Sequence, residues 1–326
     1  MVSEKKDNFM KIAILDDYQD AVRHLPCFRL LDGLDVRIFN HSAKGTGQLA
    51  IRLAPFDVLV LIRERTKIDR ALLSRLPDLK MICQTGRLGA HVDADAARER
   101  GITVVEGIGD PVATAELTWA LILAGSRRLF DYASLLKQGV WQTSSITPAR
   151  NTLGRVVNGR RLGIWGYGRI GQRVARYAQA FGMQVSVWGS DASRAKAVED
   201  GFDAAADRAA FFAEADIVTL HLRLTAATRA IVHADDLARM KPDALLVNTS
   251  RAELIAAGAL EAALRAGRPG AAAIDVFETE PLPPTASLLQ LENLIATPHI
   301  GYVEQDSYDM YFRPLFEAIA KRARQA

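Results

Sequence analysis

The sequence has few of the features that mark secreted, metal-binding or membrane proteins. It contains only two cysteines, Cys27 and Cys83, and neither has CxxC spacing or a neighbouring histidine cluster. A disulfide framework and a zinc site are therefore not indicated. The N-terminal stretch MVSEKKDNFM is charged and has no apolar core, and no uncharged run is long enough to cross a bilayer. We expect a cytoplasmic protein with no metal and no membrane association.

Neither positive nor negative charge is in large excess. The 41 Lys and Arg residues nearly balance 38 acidic residues, which leaves a formal net charge of +3 with both signs interspersed. This balance argues against nucleic acid as a partner. The chain has 326 residues and is 49% hydrophobic, so we expect two domains rather than one core.

Short runs rich in Val, Ile and Leu alternate with helical patterns along most of the chain. The first series is KIAIL, VRIF, FDVLVLI and LKMICQT, and a second series of six runs starts near Arg161 with RLGIW and ends with NLIATPHI. Runs of this kind are typical of buried parallel strands, and the repeated strand-helix units predict doubly wound α/β layers. One long helical segment, residues 113–141, separates the two series. A last helical pattern after His299 is expected to cross back to the first domain.

A glycine-rich motif, Gly166-Tyr-Gly168-Arg-Ile-Gly171, lies between the strand RLGIW and a helical pattern. In a dinucleotide site the first glycine permits a tight turn, the second lets the backbone approach a pyrophosphate, and the third lets the helix pack closely. Such turns also occur for structural reasons alone. The complete strand-turn-helix-strand context favours a dinucleotide.

The end of the next strand, MQVSVWG, bears on the choice of cofactor. An acid there would bind the adenosine ribose of NAD, but the sequence has Gly189-Ser190, with Asp191 and Arg194 beyond. Ser190 and Arg194 suit the 2′-phosphate of NADP, whereas Asp191 or a backbone group suits the ribose of NAD. We expect NAD, with NADP as the alternative.

Ionisable residues follow three of the later predicted strands. They are Arg251 after LLVNTS, Asp275 and Glu280 in IDVFETEPLP, and His299 in IATPHIG. Each taken singly has a structural explanation, such as a surface ion pair or a loop cap. Ligands of open α/β sheets bind beyond the carboxyl ends of the strands, so the combination indicates an active site.

With these motifs the chain resembles the D-isomer-specific 2-hydroxyacid dehydrogenases, which include D-lactate, glycerate and 3-phosphoglycerate dehydrogenases. The motifs that carry the resemblance are GRLGAHVDADAARERGI, LGIWGYGRIG, ADIVTLHL, MKPDALLVNTSRAELI, AAAIDVFETEPLPP and TPHIG. The resemblance implies a Rossmann dinucleotide-binding domain, residues 110–299, inserted into a flavodoxin-like substrate domain, residues 1–109 and 300–326. It also implies a homodimer.

The resemblance implies that Arg251 holds the substrate carboxylate and keto oxygen, that His299 is the acid-base residue, and that Glu280 pairs with His299. Reduction of a keto acid needs a cation for the carboxylate and a proton donor at the carbonyl oxygen, and these residue types meet both needs. Further contacts are implied for the cofactor at Arg169, Ile170, Thr225, Thr249 and Asp275, and for the substrate at Arg63, Arg87 and Leu88.

Some positions depart from the family pattern. The substrate loop reads Gly86-Arg-Leu-Gly-Ala90 instead of the usual GVGVD, so Arg63 and Arg87 could accommodate a second anionic group, unless Arg87 points to solvent. Tyr302 takes the place of a glycine often found after HIG, where it would restrict substrate size.

Two other functions compete with this interpretation. A non-catalytic, dinucleotide-sensing interaction protein of the corepressor type would retain the same three residues. Formate oxidation in the same family pairs the histidine with glutamine, and Glu280 speaks against it.

Overall fold

The structure, a computed structural model, describes residues 10–43 and 45–325; residues 1–9 of the charged N-terminal stretch lie outside the described residues. The chain divides into two compact units. One takes the described residues up to Asp110 and from Val303 onward, and the other is Pro111–Tyr302. Each is an α/β unit around a parallel sheet, which confirms the predicted fold class.

The first unit contains a five-stranded sheet. Its strands are β1 Lys11–Leu15, β2 Asp35–Ile38, β3 Val58–Leu61, β4 Met81–Gln84 and β5 Thr103–Glu106. Its helices are α1 Gly45–Leu53, α2 Arg70–Leu73, α3 Ala94–Glu99 and the C-terminal helix Gln305–Ala323, with short 3-10 helices at Val22–His24 and Pro26–Leu31. The strand order β2-β1-β3-β4-β5 is the flavodoxin-like order.

The second unit contains a seven-stranded sheet. Its strands are β6 Arg161–Trp165, β7 Gln184–Trp188, β8 Asp203–Ala204, β9 Ile217–Leu220, β10 Leu245–Asn248, β11 Ala271–Ile274 and β12 Leu294–Ala296. Its helices are α4 Val112–Arg127, α5 Leu129–Lys137, α6 Arg169–Ala180, α7 Asp191–Glu199, α8 Arg208–Glu214, α9 Ala234–Arg239 and α10 Ala259–Arg265, with 3-10 helices at Pro148–Arg150, Ala252–Leu254 and Ser287–Gln290. The order β12-β11-β10-β9-β6-β7-β8 is that of a Rossmann sheet, with its switch point between β6 and β9.

The helical segment predicted for residues 113–141 consists of two helices, α4 and α5. Arg128 adopts a left-handed conformation, with φ +52°, between α4 and α5. Its guanidinium bonds Asp131 and also the backbone oxygens of Arg150 and Ser144. The bonds to Arg150 and Ser144, which lie beyond α5, stabilise the break between the two helices. The sequence does not indicate this break, because the helical spacing of apolar residues continues through Arg128.

Apolar residues cover both faces of the seven-stranded sheet. Leu162 and Ile164 of β6 point to a cluster with Val174 of α6, whereas Trp165 joins a cluster with Phe211 and others from α8 to α10. The alternation along β6 is what a strand buried on both faces requires. The carboxyl edge of this sheet is where the predicted site residues lie.

The two cysteines are free and buried, and burial raises the pKa of each thiol to about 12. Among residues 10–43 and 45–325, no cluster of His, Cys, Asp and Glu is arranged to hold a metal ion. None of the helices described is long and apolar enough to cross a membrane.

Candidate active site

The three predicted catalytic residues lie within the second unit, in loops that follow neighbouring strands. Arg251 follows β10, Glu280 follows β11 and His299 follows β12. Because these parallel strands are adjacent in the sheet, their carboxyl ends share one edge. Sequence separation therefore does not keep the side chains apart.

Glu280 and His299 form a hydrogen-bonded pair. Nδ1 of His299 lies 2.6 Å from Oε2 of Glu280, and the backbone N–H of Phe277 donates to Oε1 of Glu280 at 2.9 Å. Burial favours the neutral carboxyl, but the bond with His299, the charges of His299 and Arg251 and the Phe277 amide together lower the pKa of Glu280. An ionised carboxylate only accepts hydrogen bonds, so Nδ1 carries the ring proton. Nε2 is then the nitrogen that can exchange a proton.

Asp275 anchors the loop that carries His299. Its Oδ1 accepts hydrogen bonds from the Thr297 hydroxyl at 2.6 Å and the Ile300 amide at 2.8 Å, and its Oδ2 accepts from the Gly301 amide at 2.8 Å. Burial raises the pKa of this carboxyl although the three donors oppose that effect. His299 itself has φ +52°, a conformation that non-glycine residues keep only when their surroundings impose it. The nicotinamide contact expected of Asp275 stays a prediction; the contacts seen are those that fix the His299 loop.

The turn that presents Arg251 is also held from several directions. The Asn248 side chain donates to the Arg251 carbonyl oxygen at 2.9 Å and accepts from the Ser250 amide at 3.0 Å. The Ser250 hydroxyl donates to the Leu220 carbonyl oxygen at 2.8 Å, which ties the turn to the end of β9. A side chain with a positioning role benefits from such a rigid support.

Two threonines of α4 were missed by sequence reasoning. Thr114 donates to the Gly301 carbonyl oxygen at 3.0 Å, and the Thr118 hydroxyl lies 2.8 Å from the Thr114 carbonyl oxygen and 2.7 Å from the hydroxyl of Thr249. Thr118 has one hydroxyl proton and donates it to the Thr114 carbonyl oxygen. In the hydrogen bond between Thr118 and Thr249, Thr249 is therefore the donor. Thr249 then keeps its acceptor capacity for a ligand hydroxyl. The segment ATAELT, which contains both threonines, gave no signal of this role beyond helical spacing.

The glycine loop has the geometry of a dinucleotide cradle. Gly166 has φ +100°, and a Cβ there would lie 2.7 Å from the His221 carbonyl oxygen. A Cβ on Gly171 would lie 2.2 Å from the Gly166 carbonyl oxygen, so the close packing of α6 against the turn requires glycine at residue 171. Apart from the neighbours of Gly168 in the chain, no atom of the described residues lies within 4 Å of the position where a Cβ of Gly168 would stand. Gly168 therefore offers the open backbone that a pyrophosphate needs at a helix N-terminus.

The residues expected near the cofactor surround this loop within the same unit. Arg169 is exposed at the start of α6, Ile170 packs against the core, and Thr225 bonds Thr228 in an exposed turn after β9. Ser190 caps α7 by accepting from the Ser193 amide at 3.3 Å. The guanidinium of Arg194 pairs with Asp191 and lies 5.0 Å from the centroid of the Trp188 ring.

The expected substrate residues Arg63, Arg87 and Leu88 belong to the first unit. Arg63 has φ +54°, its amide donates to the Thr85 hydroxyl at 2.7 Å, and its guanidinium fills the space in which a Cβ of Gly86 would stand. Arg87 is exposed. The Leu88 amide donates to the carboxylate of Glu106, a contact that the sequence did not suggest. The Leu88 amide thus already binds a carboxylate of the chain itself.

Comparison with known proteins gives a consistent result. The profile of the D-isomer specific 2-hydroxyacid dehydrogenase, NAD binding domain, matches residues 119–301. D-3-phosphoglycerate dehydrogenase of Methanocaldococcus jannaschii is 37% identical over 255 residues, which are 78% of this chain and 47% of that enzyme. The chain thus spans about half the length of that relative.

Two solved structures show the same architecture over 97% of this chain. Phosphoglycerate oxidoreductase from Vibrio cholerae O395 is 53% identical, with a TM-score of 0.93 over 100% of that chain. D-lactate dehydrogenase from Aquifex aeolicus, complexed with NAD and lactic acid, is 26% identical, with a TM-score of 0.75 over 96% of that chain.

Proposed function

The chain belongs to the D-isomer-specific 2-hydroxyacid dehydrogenase family, and on that basis we propose that it interconverts a D-2-hydroxy acid and its 2-keto acid. The observation that carries the proposal is the 2.6 Å contact between His299 Nδ1 and Glu280 Oε2. Glu280 follows β11, and Arg251 follows the neighbouring strand β10. The nicotinamide cofactor, when bound, supplies the hydride for reduction of the keto carbon.

Each residue then has one task. Arg251 binds the substrate carboxylate through the planar guanidinium group, whose N–H donors match the two carboxylate oxygens. The guanidinium stays positively charged at any physiological pH. His299 donates a proton from Nε2 to the carbonyl oxygen in reduction and accepts it from the hydroxyl in oxidation. Glu280 holds the proton on Nδ1 and stabilises the charged ring.

NAD fits the matched domain and the open backbone at Gly168. We propose that NADP is accepted too, because β7 ends without a carboxylate that would repel a 2′-phosphate. Ser190 and Arg194 supply a hydroxyl and a guanidinium nearby, and the Asp191 partner of Arg194 is itself 95% exposed and free to be replaced by a phosphate.

The test is a panel of 2-keto acids, with and without a phosphate or second carboxylate, each assayed with NADH and with NADPH. We expect turnover of at least one acid and measurable binding of both cofactors. A panel with no turnover and intact NADH binding would favour the dinucleotide-sensing alternative, which the relatives compared above do not support. Preference for the dianionic acids would support the hypothesis on Arg63 and Arg87.

We propose a homodimer located in the cytoplasm. The free, buried thiols suit a reducing compartment. Seven large apolar side chains between residues 129 and 156 are at least half exposed, and a second copy of the chain would cover them. They are Leu129, Phe130, Leu136, Trp141, Ile146, Leu153 and Val156.

The dimer can be tested with Leu153, the most exposed member of that group at 86%, and Trp141, its largest side chain. We expect light scattering to give twice the chain mass for the native protein and the single chain mass for Trp141→Glu combined with Leu153→Asp. The exposed Ile51→Glu, in the first unit, is the matched control and keeps the native mass. A monomeric native protein would refute the proposal.

Glu280→Gln is expected to move the pH profiles rather than abolish turnover. The lowered pKa of Glu280 keeps the native carboxylate charged at neutral pH, and that charge stabilises the protonated imidazole of His299. Glutamine removes the charge, so the reductive rate falls off at a lower pH than in the native enzyme, and the oxidative rate also rises at a lower pH. Rate profiles in both directions measure this. Profiles that coincide with the native ones would mean that the pair has no part in proton transfer.

A further inference from the structure

Tyr302 lies against the proposed acid-base residue. The centroids of the Tyr302 and His299 rings are 5.5 Å apart and their planes meet at 78°, an edge-to-face contact. Tyr302 is only 5% exposed. A glycine at this position, which the family pattern leads one to expect, would remove this ring contact from the imidazole.

The contacts already described hold His299 only in part. Asp275 fixes the backbone on the C-terminal side of His299 through the amides of Ile300 and Gly301, and Glu280 holds Nδ1. The Glu280 bond fixes the position of Nδ1 only within the tolerance of a hydrogen bond, so small coupled changes of the two side-chain torsions of His299 still turn the plane of the ring. A second ring packed at a right angle to the first removes that motion, and the aromatic quadrupoles favour this geometry over others.

We propose that Tyr302 is a positioning residue, whose ring sets the plane of the His299 imidazole and so the direction in which Nε2 faces the substrate. The hydroxyl of Tyr302 is not required for this role, because the contact is between the rings. For its effect on turnover the inference rests on the proposed function; for its effect on the imidazole it does not.

The kinetic test compares Tyr302→Phe, which keeps the ring, with Tyr302→Leu and Tyr302→Gly, which remove it. An edge-to-face pair corresponds to roughly a three- to tenfold effect, so we expect Leu and Gly to lower kcat by about that factor. The KM of the keto acid and the Kd of NADH should change by less than about twofold, and Phe should keep native kcat. Native kcat in the Leu variant, or a loss in the Phe variant as large as in Leu, would overturn the proposal.

A second measurement does not depend on turnover. We expect the ¹⁵N signals of the His299 ring, assigned by their loss in His299→Asn, to show the Nδ1–H tautomer in all three proteins, because Glu280 keeps its bond to Nδ1. The Nε2 signal should be sharp in the native and Phe proteins and broadened in the Leu variant, because the ring then samples several orientations. Unchanged ring signals in Leu would refute the positioning role. Absence of turnover in the native enzyme, with ring signals that respond, would refute the proposed function alone.

Thermal unfolding of each variant is the control that shows whether the substitution has changed the stability of the protein. If Tyr302→Leu does not fold, Tyr302→Met takes its place, since methionine fills irregular apolar space and also lacks a ring. The same comparison with Phe then applies.

Discussion

We expect His299→Ala to lower kcat for keto-acid reduction by about two to four orders of magnitude, the range that general acid-base groups contribute. The loss follows from the absence of any proton donor at Nε2, whereas the glycine loop that binds the cofactor is untouched. The Kd of NADH, measured by fluorescence titration, should therefore stay within about twofold, because no proposed cofactor contact has been removed.

The backbone at His299 complicates this variant. With φ +52°, alanine is strained there, and a loss of activity could reflect movement of the loop. Asparagine tolerates this conformation and can still bond Glu280, but it cannot transfer a proton at neutral pH. His299→Asn should thus unfold at the native temperature and still lose kcat like alanine.

The control for histidine removal is His24→Ala, an exposed residue at the end of a 3-10 helix in the first unit. It should have native kinetics. Near-native kcat in both His299 variants would refute the acid-base assignment.

The sequence predicted those strands whose apolar runs are long. β1, β3 and β4 are buried along most or all of their length, as their composition indicated. β5 was missed because it is a short edge strand with an exposed-intermediate pattern, and β8 was missed because it has only two exposed residues. Solvent on one side of an edge strand relaxes the demand for apolar residues and weakens the signal. The edge strands β2 and β12 were nevertheless predicted, from VRIF and NLIATPHI.

The site was predictable to the level of strand ends and no further. The rule for parallel sheets brings Arg251, Glu280 and His299 to one edge, but it does not specify a 2.6 Å contact between Glu280 and His299. That contact depends on the turn in which Glu280 accepts from Phe277 and on the left-handed backbone of His299. Tertiary contacts fix both features, and no local pattern encodes them. The same holds for Asp275, whose three donors come from a loop more than twenty residues away.

Arg251→Lys is expected to lower kcat/KM for the keto acid by about 10²–10³-fold. Lysine keeps the charge but loses the fork that binds both carboxylate oxygens at once. The lost charge-assisted hydrogen bond contributes about 1.5–3 kcal/mol, and the less exact placement of the keto group adds to that loss. The main change should be in KM if Arg251 only binds the carboxylate, and in kcat as well if it also holds the keto oxygen, as the family resemblance implies. Steady-state kinetics separate the two.

The matched control is Arg229→Lys. Arg229 is exposed, and its guanidinium lies 3.9 Å from the carboxylate of Glu253, which follows Arg251 in the chain. This substitution should leave kcat and KM unchanged. A second variant, Arg251→Ala, removes the whole side chain, and added guanidinium should then restore part of the activity, because it supplies the same fork without the tether. Restoration by guanidinium but not by methylammonium would tie the loss to fork geometry rather than to charge. A native kcat/KM in Arg251→Lys would mean that the substrate carboxylate is bound elsewhere, and the assignment of Arg251 would fall with it.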